Sequence, residues 1–455
     1  MQIVHGDRAL TPAGWQRDIE VVIDAAGRIA SVGAQRGTPT HRVPLLLPAP
    51  VNLHSHAFQR AMAGLTEARG PDPSDSFWSW RRLMYRFLDQ LTPDHAEAIA
   101  ALVFMEMQEA GYAAVAEFHY LHHDVGGAPY AQLSEISQRI VAAADQTGIG
   151  LTLLPVFYQY GGCDLRPLQG GQRRFGNDAD QFLRLWSDAA ALIAAHSDDA
   201  AIGVAPHSLR AVDPGGLGAV LSAVPQGPIH MHLAEQVAEV DEVQSHFGGR
   251  PTEWLLANQP VDARWCLIHC TQMTGAETAA LAATGAVAGL CPLTESNLGD
   301  GIFNGTEYLG QGGTIGVGSD SNIHISLFEE LKTLEYSQRL RDRSRAALAV
   351  QDRFTGRVLF DAAARGGAQA GGRDSGRIEA GAWADLVALE DDNQWLCNRG
   401  GDALLDSLIF SGGGQSCIRE VWSAGRHVVS GGRHHRRDAI IDNFKRAMQQ
   451  LETSI

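Results

Sequence analysis

Imidazole and carboxylate side chains recur along this chain in one order and at one kind of place. They are His54-Ser55-His56, then His232 with Glu235 three residues on, then His269, then Asp320 within Gly318-Ser319-Asp320-Ser321. Neutral imidazole nitrogens and a carboxylate, with one position left open for water, are what a hydrolytic Zn²⁺ centre requires. Each of these places closes a short apolar run, and the ends of parallel strands are where a barrel presents its catalytic groups. His54 and His56 stand two apart, so extended backbone turns both rings to one face. His230 shares the face of His232 by the same alternation and is read as packing deeper. One His-x-His carries little by itself; agreement among separate strand ends carries the reading, which is metal-assisted hydrolysis.

Eight apolar runs are available to position these residues: 45–53, 113–118, 151–157, 201–205, 229–233, 265–268, 286–290 and 314–317. Alanine- and leucine-rich stretches such as 92–111 and 178–195 separate most of them at helical spacing. Continuous apolar strands alternating with helices predict a parallel sheet buried on both faces, and eight of them predict a closed (β/α)8 TIM barrel, an α/β fold. The connection after the first run is unusually long, and loops of that size are usually functional. Short strands at 2–4, 19–23 and 28–33 precede the barrel, and β-rich stretches at 376–389 and 418–429 follow it. The two ends are therefore expected to join in one small β-sandwich, with a terminal amphipathic helix at 440–451. The expected domains are 1–46, the first part of the sandwich; 47–370, the metal-dependent barrel; and 371–455, the second part of the sandwich with the helix.

Composition excludes several partners. The 455 residues carry a formal charge of −16, which argues against nucleic acid and anionic membranes. No apolar stretch approaches the roughly eighteen residues a membrane helix needs. Met1-Gln2-Ile3-Val4-His5-Gly6-Asp7 lacks the basic region and apolar core of a signal peptide. The six cysteines form neither a Cys-x-x-Cys pair nor a disulfide framework, so a cytoplasmic protein is expected. Lys332 and Lys445 are the only lysines, beside 34 arginines.

The order His-x-His, His-x-x-Glu, His, Asp spans the barrel, and with its flanking sandwich it resembles the amidohydrolase superfamily, in its deaminase branch. The resemblance implies that His54, His56, His232 and Asp320 hold one Zn²⁺, with Fe²⁺ or Mn²⁺ as alternatives. It implies that Glu235 shuttles protons, that His269 orients or polarises the hydrolytic water, and that Asp320 also accepts a proton. Relatives with two metals bridge them through a carboxylated lysine on a mid-barrel strand. No lysine precedes position 332 here, so a single ion per chain is expected. Pro48-Ala49-Pro50 departs from the usual Pro-Gly at that turn.

Longer blocks sharpen the likeness. Asn52 to Glu67, Ala116-Glu117-Phe118-His119-Tyr120, His207-Ser208-Leu209-Arg210-Ala211-Val212, Asn297-Leu298-Gly299-Asp300-Gly301 and Leu334 to Asp342 are similar to the formimidoylglutamate deiminase family. The implied reaction is hydrolysis of N-formimino-L-glutamate to N-formyl-L-glutamate and ammonia, a step of histidine degradation. A small dicarboxylate calls for planar cationic forks. Arg210, three residues after His207, and Arg81 in Phe77-Trp78-Ser79-Trp80-Arg81-Arg82 are the candidates, with Gln59, Tyr120 and His207 as further contacts. The stretch around Trp78 reads equally as a closing loop, a packing contact or a homodimer patch. Gln172-Arg173-Arg174 is another loop candidate, while Cys270 and Cys291 read as buried small residues. Two other readings stay open: a related deaminase acting on a heterocycle such as guanine, cytosine or a pterin, and a non-catalytic barrel.

Overall fold

The computed structural model describes residues 1–452 except 35, 66, 68–83 and 351, so Arg81 and the stretch around Trp78 lie outside the described residues. The eight apolar runs become the parallel strands of a barrel. These are β5 (Val51–Ser55), β6 (Ala114–His119), β7 (Gly150–Phe157), the pair β8 (Ala201–Ile202) and β9 (Ala205–Pro206), β10 (Ile229–Leu233), β11 (Trp265–His269), β12 (Val287–Leu290) and β13 (Thr314–Val317). Strands β5, β6, β7 and β10 to β13 are buried almost without interruption, as residues between a filled interior and a ring of helices must be.

Hydrogen bonds join β5 to β8 in one run and β10 to β13 in another. Two parallel bridges close the circle, Val204 to Ile229 on one side and Ser55 to Asp320 on the other. The second closure is reinforced by Asp320 N–H to His54 O and His56 N–H to Asp320 O, both 2.9 Å. Helices enter with side-chain caps that satisfy their first amides. Thr92 caps Pro93–Glu109 with a reciprocal bond from His95, and Asp213 caps Pro214–Ala223 ahead of a proline already set for the first turn.

Both chain ends meet in one eight-stranded sheet. Its members are β1 (Gln2–Thr11), β2 (Gly14–Ile23), β3 (Ile29–Ala34), β4 (His41–Pro48), β14 (Leu386–Leu389), β15 (Ile418–Ser423), β16 (Arg426–Ser430) and β17 (Arg433–His434). The order is β17-β16-β15-β14-β4-β1-β2-β3, so β4 lies between the N-terminal strands and β14. Val4, Val21, Val43, Leu46, Leu386 and Trp422 join across it in their own buried cluster.

The run 45–53 proves to be two strands. It breaks at Ala49-Pro50, β4 pairing in the outer sheet and β5 opening the barrel. Ala49 N–H is taken by Asp385 O at 2.9 Å, and Pro50 has no N–H to offer a ladder. In 376–389 only Leu386–Leu389 is a strand; the earlier residues form turns that meet the sheet through an Arg28–Trp383 bridge. Among the described residues no helix is long and apolar enough to cross a membrane.

Candidate metal centre

His54 and His56 leave the C-terminal end of β5, His232 that of β10, and Asp320 follows β13. Four ligand atoms, one from each, lie within 4.8 Å of one another, and all four residues are buried. Nε2 of His54 is 3.2 Å from Nε2 of both His56 and His232, and the latter two are 3.4 Å apart. Asp320 Oδ1 stands 3.3 Å from His56 Nε2 and 3.7 Å from His54 Nε2.

Those spacings test whether the residues suit a cation. Ligands arranged tetrahedrally about 2.0–2.1 Å from a centre sit roughly 3.3 Å apart, close to what is observed. Ring polarity agrees. His56 Nδ1 is 2.9 Å from Phe118 O and His232 Nδ1 is 3.1 Å from His207 O, so each Nδ1 carries the hydrogen and each Nε2 presents a lone pair to the cage. Burial keeps the three imidazoles neutral: it holds His54 and His232 well below the usual histidine range and His56 down at about 3. A divalent cation therefore fits this donor set.

The surrounding frame is polar and tied. Asn52 Nδ2 donates to Ser319 Oγ at 2.7 Å, Ser319 Oγ donates to Asn322 Oδ1 at 2.6 Å, and Asn322 Nδ2 donates to Ser55 Oγ at 3.1 Å. That chain stitches β5 to the loop after β13 directly behind the cage. On the β6 side, Glu117 Oε1 accepts Ala57 N–H at 2.7 Å, fixing the turn after His56. Burial pushes the Glu117 carboxyl up to about 8, against bonds from Ser55 and Ala57.

Backbone strain marks the same strand ends. Ala234, His269, Cys270 and Asp320 all have φ between 47° and 72°, the left-handed region that costs an L-residue roughly 1–2 kcal/mol. Such conformations persist where the fold over-determines them, commonly at functional sites.

One pocket opens over the cage. Its walls include His56, Gln59, Tyr120, His207, Arg210, His232, Glu235, His269 and Asp320, so the described residues expected at the site converge, with His54 in the cage itself. Glu235 Oε1 is 3.8 Å from His269 Nε2, and its Oε2 is 4.0 Å from an Arg210 nitrogen. Gln59 Nε2 donates to Tyr120 OH at 2.6 Å. Arg210 is largely buried, its side chain 11% exposed, with no partner on Nε. Burial opposes the charge of His269, but Glu235, Glu295 and Asp320 override it and push its pKa up to about 10.

Several wall residues were not anticipated from the sequence: Met84, Tyr85, Tyr158, Phe175, Thr294 and Ser321. They are aromatic, apolar or small, and nothing in their spacing separates a pocket wall from a core. Leu298 also lines the pocket and sits in the block 297–301, which was singled out without a role. Glu239 was missed as well; its Oε2 accepts the Glu235 N–H at 2.9 Å. Arg174 is not a pocket residue. It is buried, and its guanidinium donates to His123 O at 2.8 Å, to Leu88 O and to Tyr130 OH. His230 packs below the cage, 2.8 Å from Ala370 O. Cys270 and Cys291 are fully buried, and burial holds both thiols well above their usual range.

Comparison with known proteins gives a consistent picture. The family model described as "Amidohydrolase family" matches residues 45–428, and "Formimidoylglutamate deiminase HutF, N-terminal domain" matches residues 1–38. The chain is 47% identical to a formimidoylglutamate deiminase of Pseudomonas aeruginosa, covering 99% of this chain and 100% of that protein. It is 26% identical to a 5-methylthioadenosine/S-adenosylhomocysteine deaminase of Natronomonas pharaonis, over 86% and 84% of the two chains. A crystal structure of an amidohydrolase from Brucella melitensis superposes with a TM-score of 0.95 at 47% identity, over 99% of this chain and 100% of that one. A zinc-bound adenosine deaminase from Xanthomonas campestris shares the fold, with a TM-score of 0.82 at 20% identity over 99% and 98% of the chains.

Proposed function

The chain belongs to the amidohydrolase family, and on that premise we propose that it hydrolyses N-formimino-L-glutamate to N-formyl-L-glutamate and ammonia, a deimination in histidine degradation. The observation that carries the choice of substrate is the full-length likeness to a formimidoylglutamate deiminase, joined to an arginine in the wall of the pocket. A neutral heterocycle has no use for a guanidinium with an unpartnered Nε. A dicarboxylate does.

His54, His56, His232 and Asp320 would hold one Zn²⁺, a metal that the related adenosine deaminase binds and that suits three imidazoles and a carboxylate. When bound, such an ion lowers the pKa of water and polarises the electrophile. The chain's own groups do the rest. Arg210 grips a substrate carboxylate, with Gln59 and Tyr120 presenting a hydrogen-bonded pair in the same pocket. Arg81 is assigned to the second carboxylate from sequence likeness alone. His207 sets His232 through its carbonyl and contributes its ring to the wall.

Asp320 Oδ2, turned towards His269, accepts a proton from the attacking water. Glu235 delivers a proton to the departing nitrogen, so ammonia leaves without carrying negative charge. His269 Nε2 faces both carboxylates and stabilises charge gathering at the tetrahedral carbon's oxygen. The six cysteines are free thiols, in keeping with a reducing cytosol. Ammonia release from N-formimino-L-glutamate, measured beside guanine and cytosine, tests the assignment; faster turnover of either ring would overturn it.

A further inference from the structure

We infer that Glu295 is a positioning residue for this reaction, holding the ring of His269 through Nδ1 so that Nε2 is the nitrogen presented to the reacting atoms. The inference rests on the role proposed for His269 and extends it to a residue whose part was not anticipated. His269 Nδ1 lies 3.2 Å from Glu295 Oε1, and both side chains are buried. Among the described residues no other hydrogen bond reaches that nitrogen.

The carboxylate is itself pinned. The same Oε1 accepts the Cys291 N–H at 2.9 Å, and Glu295 N–H donates to Cys291 O at 2.9 Å as the helix Pro292–Leu298 begins. Oε1 is thus placed as the acceptor for a hydrogen on Nδ1. Nε2 is thereby left facing Glu235 Oε1 and Asp320 Oδ2, each 3.8 Å away.

The ring needs such a partner. The torsion that sets an imidazole plane is broad and poorly fixed by the backbone. His269 also sits at φ 72° and Cys270 at φ 53°, so local conformation there is imposed by surroundings rather than preferred. Glu295 supplies what the strand end does not: one direction for the ring.

A double-mutant cycle tests this with metal content, kcat and KM measured for each protein. Glu295→Ala is expected to lower kcat between about tenfold and a thousandfold, as losing an orienting partner does, with KM within about threefold and the metal content unchanged. In a His269→Ala background the same substitution should change kcat by less than about threefold, because the residue through which Glu295 acts is gone. Glu295→Gln keeps an oxygen for both donors and should recover most of the lost kcat. Should Glu295→Ala not fold, Glu295→Asp, which keeps the charge but shortens the reach, takes its place. An equal loss in both backgrounds, a lost metal ion, or Gln no better than Ala would each overturn the role. A wild type inactive on N-formimino-L-glutamate would instead sink the functional reading, so the two failures are distinct.

Discussion

Glu235 is flanked by His269 at 3.8 Å and Arg210 at 4.0 Å, and it stands outside the group of four ligand atoms. Glu235→Gln is therefore expected to retain the metal and lower turnover by about 10²–10⁴, the usual worth of a proton-transfer group. Elemental analysis beside kcat checks it: an ion lost with the substitution would make Glu235 a ligand. Arg210→Met should keep the ion and lower kcat/KM by roughly tenfold to a little over a hundredfold, the loss of one charge-assisted bond. Arg210 also neutralises Glu235 and Glu239, so a formimino compound lacking the distal carboxylate is the needed control. An equal fall on that compound would mean that Arg210 does not grip the distal carboxylate. At this scale the cage was legible because chemistry restricts it to a few residue types at strand ends. Tyr158, Phe175 and Met84 were not, since a pocket wall and a core use the same side chains.

Between the barrel and the outer sheet runs a clamp in which Arg373, Asp385 and Asp199 are buried and Arg426 is exposed. Arg373 binds both oxygens of Asp385 at 2.6 and 3.0 Å and reaches Asp199 Oδ2 at 2.9 Å, and Arg426 takes the two Asp199 oxygens at 2.8 and 2.7 Å. Arg373→Met would leave buried Asp385 without its cation and Asp199 with Arg426 alone, a loss on the order of 3–5 kcal/mol. A denaturation midpoint that does not move would show the clamp to be idle. Burial opposes the charge of Asp199, but bonds from Arg426 and the charge of Arg373 hold its carboxyl far below the ordinary range. Since the folded pKa lies below the unfolded one, near 3.9, its stabilisation is present above about pH 4 and fades as the pH falls through the folded value. The stability gap between wild type and Asp199→Asn should therefore narrow in acid; a constant gap would remove the charge from the explanation. Elements were legible where one apolar run met one strand, as at β6, β7 and β10 to β13. The run 45–53 misled because two consecutive strands are both apolar, and only tertiary pairing assigns one to each sheet.

Across the whole molecule, the four candidate ligands come from β5, β10 and the end of β13, so an ion would cross-link strands on both sides of the barrel's closing seam. One divalent ion per chain is expected from elemental analysis, and two essential ions would defeat the single-metal reading. Chelated protein should melt at a lower temperature and recover with added Zn²⁺, because a ligand at a thousand times its Kd adds about 4 kcal/mol to the folded state. An unchanged melting temperature would place the cation elsewhere. That the two chain ends come together in one β-rich unit was legible in the sequence; that they form a single eight-stranded sheet in place of the expected sandwich, and which strand joins them, was not, because β-pairing partners carry no local signature. The joining strand is β4, held by β1 on one side and β14 on the other. Roughly 340 residues separate Pro48 from Leu386. A ribosome adding about 5–20 residues per second needs roughly 20–70 s to cover that distance. For all that time β4 is a bare edge on a nascent chain, open to any other strand that passes. Its prolines do not guard it: Thr40 N–H bonds to Ile3 O and Ala49 N–H to Asp385 O, so by strand alternation the amides that Pro44 and Pro48 lack lie on the β1 side.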